Sequence, residues 1–395
     1  MKTKMCLSVI VLQGLLSWDA SADPFDCGST GADGPINITS NTTLHLPPNG
    51  IFNCTTITVA TGVTLSFSNN VLNTPVYLLA TGDVNINGTI DVSGNGPASI
   101  RPWNGSRPNK AGPGGFDGGY GGMYYGALTT GGDGCGPGGG KHTGSGSSQG
   151  GSFATTGGGS STNTSIYGNL LLYPLVGGSG GTGLDGTPGL AGGGGGGAIL
   201  IASNTRININ GSVDAKGGEL GSTYQSGAGS GGGIRLVTPV VTGAGTLDAS
   251  GGSSYAYGGV ITAGYGRIRI DCTDFLAYRN LTLVGMASRG NRMFVFPAVV
   301  PRLDIIGVAG QAIPEGTYNA VQFELPADAS TNQTVTVQAR NFTNDVPIRV
   351  IITPENGPRG EFDATILQSS GNPPFADVPV IIPAGSTCQI HAWTR

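Results

Sequence analysis

The sequence predicts an all-β fold: a right-handed parallel β-helix carrying a large glycine-rich, polyproline-II-like insertion, followed by an immunoglobulin-like β-sandwich. Three observations predict it. Short segments alternate apolar and polar residues between Gly, Asn and Asp turns; one strand-and-turn phrase recurs along the chain; and glycine, 73 of 395 residues, thins out beyond about Met293. After the first residues no stretch shows a sustained helical period with caps.

In chain order, residues 1–22 read as a secretory signal. Lys2 and Lys4 precede the mostly apolar stretch Met5 to Trp18, and Ala20-Ser21-Ala22 is a small-x-small cleavage site before Asp23. The stretch is too short for a spanning helix and no second one follows, so the expected product is secreted, extracellular or on the outer cell surface, without membrane insertion. Cys6, ahead of the apolar run, is not placed for lipidation.

The β-helix is expected over 23–292. Thr56 to Val59 and Val63 to Phe67 alternate strictly, and Val76 to Leu79 and Val84 to Asn87 continue the pattern until Gly88. Asn87-Gly88-Thr89-Ile90-Asp91-Val92-Ser93-Gly94 recurs as Asn210-Gly211-Ser212-Val213-Asp214-Ala215-Lys216-Gly217. A third copy is Ala244-Gly245-Thr246-Leu247-Asp248-Ala249-Ser250-Gly251. Asp214 and Asp248 stand 34 positions apart, as do Ile234 and Ile268 in the preceding strand type. Such units cannot bury an apolar face alone, so they must stack. A β-propeller would need more equal repeats and no long insertion.

The insertion spans about 95–197, with a second tract at about 217–233. Without a strict Gly-X-Y period it is not collagen. One reading is a flexible glycine loop. The sharper one is a set of extended tracts lying side by side, whose carbonyls pair with amides of neighbours because no Cβ intervenes. Phe116, Tyr120, Tyr124, Tyr125 and Tyr167 would plug the tracts onto the solenoid. From 293 to 395 about seven conventional strands, such as Val335 to Ala339 and Pro347 to Ile352, predict the sandwich, without the usual Cys…Trp…Cys core.

Several phrases carry a resemblance: Phe25-Asp26-Cys27-Gly28-Ser29, Asn73 to Ala80, the repeated Gly-Thr-(Ile/Leu)-Asp-(Val/Ala)-Ser-Gly, and Gly266-Arg267-Ile268-Arg269-Ile270. They resemble exported glycine-rich parallel β-helix surface proteins of Gram-negative bacteria. The resemblance implies a cell-surface or extracellular location and carries over no activity or site residue.

The chemistry-bearing residues are sparse. Charged residues make up 11 % and net charge is -4, which lacks the basic footprint nucleic acid requires. Cys27 and Cys54 flank the first strand-like segment and are the expected disulfide in an oxidising compartment, contributing roughly 3 kcal/mol. Five cysteines remain after cleavage, an odd number, so Cys135 is the expected free or intermolecular thiol. Asp91, Asp214 and Asp248 share a phase; they read as turn-forming residues, with a functional carboxylate row as the alternative. Asp271 and Asp274 have no evident third partner. His45, His142 and His391 share no metal spacing, and Cys135 with His142 is a weak pair for a soft metal. Glycine runs match nucleotide and nucleophile-elbow motifs trivially, without strand-to-helix context, so no cofactor is expected. Ten Asn-x-Ser/Thr sequons, from Asn37 to Asn341, read as Asn- and Thr-rich turns rather than glycan sites.

The expected function is a secreted structural or adhesive cell-surface protein, with self-assembly into fibres and contact with surface glycans as its partnerships. A carbohydrate-active enzyme, a polysaccharide lyase or hydrolase on the same scaffold, is the alternative. An ice-binding surface is a third, for which the Thr spacing is too irregular.

Overall fold

The computed structural model describes residues 24–96, 107–122, 130–144, 148–159, 162–163, 165–185, 189–220, 226–256, 259–274, 276, 278–297, 299–316, 321–355 and 357–395. The signal segment, Tyr124, Tyr125 and the sequon at Asn104 lie outside them. The described residues contain strands and no helix.

The first half is built from parallel ladders. Ile51–Val59, Val76–Ala80, Ala198–Ser203, Gly233–Val237, Arg267–Asp271 and Met286–Gly290 pair successively, all parallel. Gly34–Ile38, Val84–Ile86, Arg206–Ile209 and Val240–Thr242 extend the same sheet the other way. Ile51–Val59 joins the two runs, because its first half pairs with Tyr77 to Ala80 and its second half with Val84 to Ile86. The sheet therefore curls. A second, six-stranded parallel sheet runs Thr42–His45, Thr64–Ser68, Thr89–Asp91, Ser212–Asp214, Thr246–Asp248, Thr282–Val284. This arrangement is compatible with a β-helix-like fold.

The sequence repeat is the pairing register. Ile234 sits opposite Ile268 and Asp214 opposite Asp248, the pairs 34 positions apart. Asp91 sits opposite Asp214, so the chain leaves the ladder for the insertion and re-enters without a slip. A slip of one residue would turn every inward side chain outward. The inward set forms one core with Leu65, Leu78, Ile86, Ile90, Ile199, Val213 and Leu247 among its members. Ala198–Ser203 and Gly233–Val237 are buried on both faces, which explains why they read as continuous apolar runs instead of alternating. Their outward residues pack with Cys27, Phe153, Leu172, Leu175 and Val295 in a second cluster.

The glycine tracts are ordered against each other by backbone hydrogen bonds. N–H groups of Gly178, Gly181 and Leu184 donate to the carbonyls of Gly196, Gly193 and Leu190. Those of Phe116, Gly119 and Gly122 donate to Gly178, Gly181 and Leu184, and those of Gly195, Gly192 and Gly189 to Phe116, Gly119 and Gly122. Gly177, Gly180 and Gly183 bond instead to Gly114, Cys135 and Gly132. Bonds to one neighbour thus recur every third residue, where a strand would repeat every second. The second tract joins the layer, with Gly193 and Gly196 donating to Gly227 and Ser230.

Residues 302–394 form two four-stranded antiparallel sheets. One runs Gln311–Ala312, Arg302–Val308, Asn332–Arg340, Phe375–Ile381; the other Val321–Glu324, Thr387–Thr394, Val346–Pro354, Gly360–Ile366. Val335, Val337, Ile348, Val350, Ile352 and Ile390 fill a separate core between them. Among the described residues eight strands appear where the sequence suggested about seven. Arg302–Val308 and Gln311–Ala312 were not expected, because Asp304 and Gly307 interrupt their apolar pattern.

An ideal Cβ on Gly181 would lie 2.1 Å from the Gly227 carbonyl oxygen, and one on Gly195 would lie 2.0 Å from that of Gly178. Gly181→Ala and Gly195→Ala are expected to cost about 3 kcal/mol each or more. Gly259→Ala, with nothing within 4 Å of the added methyl, should stay within about 0.5 kcal/mol. Urea unfolding midpoints of the three variants check the contrast; equal midpoints would mean the tracts are not packed as described.

Candidate functional site: the face between the glycine layer and the C-terminal sheets

The expected Cys27–Cys54 disulfide is not formed. Cys54 points into the inner core beside Ile57 and Ala80, whereas Cys27 packs against Leu79 in the outer cluster, so the sheet itself stands between them. The Cys27 thiol instead donates to the Ala80 carbonyl at 3.3 Å. All five described cysteines, Cys272 and Cys388 included, are free and buried. Burial pushes the Cys54 and Cys135 thiols up to about 12, far from the range of a reactive thiolate.

The aspartate column lies in register on the six-stranded sheet. Asp91 Oδ1 accepts from the Ser93 N–H and Asp248 Oδ1 from the Ser250 N–H, both at 2.9 Å, so each carboxylate closes its own turn. Asp214 behaves differently. Its Oδ2 meets Lys216 Nζ at 3.0 Å, and the same ammonium lies 3.5 Å from Asp248 Oδ2. Burial raises the Asp214 carboxyl above its usual range, Lys216 opposes that, and the neighbouring Asp91 and Asp248 add to it. Lys216 stands where the other two copies carry Ser93 and Ser250, the sequence signal that marks it as the column's own counter-ion. Removing it should leave stacked carboxylates about 4.8 Å apart without compensation. Lys216→Met is expected to cost about 1 kcal/mol at pH 7. The loss should shrink as pH falls and the Asp214 carboxyl, raised above its usual range, protonates, which unfolding at pH 7 and pH 4 will read.

Asp271 is also structural. It is fully buried; Oδ1 accepts from Arg269 Nη2 at 2.6 Å and from the Arg292 N–H at 3.0 Å, while Oδ2 lies 3.3 Å from Arg235 Nη2. Arg235, 1 % exposed, also donates to the Phe294 carbonyl and lies over the Phe294 ring. His142 Nε2 sits 2.7 Å from Asp185 Oδ1, not with Cys135. Asn163, read as a turn residue, is buried, and its side-chain amide donates to the Gly138 and Gly139 carbonyls. Among the described residues no three His, Cys, Asp or Glu side chains gather as a metal site.

What the structure does bring together is the glycine layer and the outer face of one C-terminal sheet. Alternation along Thr387–Thr394 sends Cys388 and Ile390 into the core and leaves Thr387, Gln389, His391 and Trp393 on the opposite face. Gln322 and Thr353 flank Gln389 in register on the neighbouring strands. Phe116 of the glycine layer meets the rings of His391 and Trp393 edge-on at 5.4 and 5.5 Å. Tyr167 packs on Phe153 at 4.6 Å, and its hydroxyl donates to the Gly177 carbonyl. Phe116 therefore plugs the tracts onto the C-terminal sheets rather than the parallel sheets, while Tyr167 reaches the outer cluster of the parallel sheet as well. Arg359 completes the seam. Its N–H donates to Asp133 Oδ2 at 2.8 Å, its Nη1 to the Gly139 carbonyl at 3.0 Å, and its Nε to Glu361 at 3.1 Å. Burial, the largest influence, raises the Asp133 carboxyl.

Beside this seam lies a cleft of about 170 Å³ between Gly118, Tyr120, Asp133 and Cys135 on one wall and Gln322, Thr353, Glu355 and Gln389 on the other. Sequence reasoning found Cys135 and Tyr120 but none of the opposite wall. Those residues look like ordinary outward strand positions until the glycine layer covers them.

Comparison of the chain with protein-family models, curated proteins and solved structures finds no match. No described helix is long and apolar enough to cross a membrane.

His391 is 8 % exposed, and neither ring nitrogen has a hydrogen-bond partner. Burial, helped by the Arg359 charge, lowers it to about 4. A histidine lowered in the folded state gives full stability above its unfolded value of about 6.5 and loses it as pH falls towards 4. His391→Phe, which keeps the ring and removes the titration, should abolish a loss on the order of 3 kcal/mol across that window. The difference between wild-type and variant urea midpoints from pH 7 to pH 4 isolates it from the carboxylates titrating alongside.

Proposed function

We propose that this chain is a secreted structural or adhesive module of an outer cell surface, able to assemble into fibres. Its parallel ladders are the coils of a right-handed β-helix, its glycine layer is a bundle of polyproline-II-like tracts, and its C-terminal sheets are an immunoglobulin-like sandwich. One observation carries the reading: glycine backbones bonded to several neighbours with a three-residue period. Each such bond contributes about 1 kcal/mol net. A layer held this way resists bending in more than one direction, as a load-bearing or contact surface requires, and it leaves few side chains inside for chemistry.

Strand edges supply the means of assembly. Met286–Gly290 and Thr282–Val284 end their parallel sheets, and a terminal strand can accept another chain. Phe375–Ile381 is an edge of the C-terminal sheets with Phe375 and Ile381 exposed. The secretory signal read in residues 1–22 supports an extracellular site of action.

Negative-stain electron microscopy of the purified mature protein over a range of concentrations tests the fibre version. Filaments or end-to-end particles that lengthen with concentration are expected. Monodisperse particles at every concentration would remove it.

A further inference from the structure

The cleft between the glycine layer and the C-terminal sheets has the makings of a ligand site. Its floor is deeply buried: Thr353 is 4 % exposed and Cys135 7 %. The Thr353 hydroxyl has no hydrogen-bond partner. Buried hydroxyls are almost always paired, so an orphan lining a cleft marks a place where another molecule supplies the partner. Gln322 and Thr387 stand exposed at the rim and Gln389 half-buried below them, which gives the cleft an open mouth.

We infer that this cleft binds a single uncharged sugar residue, as found at the end of a surface glycan chain. The inference rests on the adhesive reading above and gives it a ligand class. Two carboxamides, two hydroxyls, the Tyr120 phenol and the Glu355 carboxylate offer donors and acceptors around a small space. A polyol needs both kinds. The Tyr120 ring adds an apolar surface of the sort a sugar ring lies against. Among the described lining residues none is Lys, Arg or His, and Glu355 faces the space, so anions are disfavoured. Both Asp133 oxygens are already engaged, by the His142 and Arg359 N–H groups. The volume equals about five or six waters, room for one ring and not for an extended chain. Cys135 lines the floor as a neutral thiol and takes no part in chemistry there.

The full-length mature protein, probed by saturation-transfer NMR and titration calorimetry, tests this. The probes are methyl glucoside, methyl mannoside, methyl galactoside and N-acetylglucosamine, with glucuronate as the anionic control. At least one neutral probe should bind at millimolar concentration or below, and glucuronate at least tenfold more weakly. Thr353→Val keeps the shape and removes the orphan hydroxyl. It should weaken binding at least tenfold while raising the melting temperature, a pairing that a purely structural threonine would not give. Gln322→Ala, at the exposed rim, should weaken binding without changing the melting temperature. Failure of every neutral probe to bind, equal binding of glucuronate, or binding that survives both substitutions would overturn the inference. Electron microscopy of the same variants reads assembly separately, so loss of sugar binding with intact filaments leaves the structural role standing.

Discussion

The structure depends on how closely two backbones can approach when neither carries a side chain. At Gly181 or Gly195 a single methyl would occupy the position of a neighbouring carbonyl. Only at that separation can amides of one tract reach carbonyls of several others. A glycine chain pays a large entropic cost on ordering, and only a few apolar side chains, Phe116, Leu220 and Ala228 among them, offset it here. Saturation of the buried backbone is what remains to hold the layer. Two apolar bodies, the parallel sheets on one side and the antiparallel sheets on the other, fix its boundaries.

The same constraint explains which parts were legible in the sequence. The parallel ladders were, because the Asp91, Asp214 and Asp248 phrases recur in phase and the inward residues alternate. The strands buried on both sides also announced themselves, through runs such as Ala198-Ile199-Leu200-Ile201. Within those runs Arg235 and Arg269 broke the pattern without explaining it. Their counter-ion Asp271 lies at the end of the Arg269 strand, and nothing in spacing says that a buried ion cluster, rather than solvent, receives them. The glycine tracts were legible as a composition but not as an arrangement, since low-complexity sequence does not encode which tract neighbours which.

The disulfide expectation failed for a related reason. Nearness in sequence suggested Cys27 and Cys54 as partners, but Cys27 lies ahead of the first strand, packed on the outer side of the sheet, while Cys54 faces inward from Ile51–Val59, and the two thiols belong to different apolar clusters. The residues of the cleft escaped notice because polar side chains on alternate positions of Thr387–Thr394 are what a solvent-facing strand would show. That Gln389, His391 and Trp393 are covered depends on Phe116 and Arg359, more than two hundred residues apart, arriving at the same seam. Three of the covered groups, the His391 ring, Trp393 Nε1 and the Thr353 hydroxyl, are left without hydrogen-bond partners, a cost that packing for stability alone does not explain.

The unbroken register across the insertion bears on how the chain reaches its native state. Strands after Ala198 lie close to one another in sequence, so their ladder closes short loops and can assemble early. Pairing Val76–Ala80 to Ala198–Ser203 must instead bring together segments separated by more than a hundred residues of glycine-rich chain. On this view the late strands act as a template on which the N-terminal strands dock, and the glycine tracts condense last, threading into a space whose walls already exist. A polypeptide emerging N-terminus first from the ribosome would then hold its leading strands unpaired until the trailing ones arrive, which delays compaction until most of the chain has appeared.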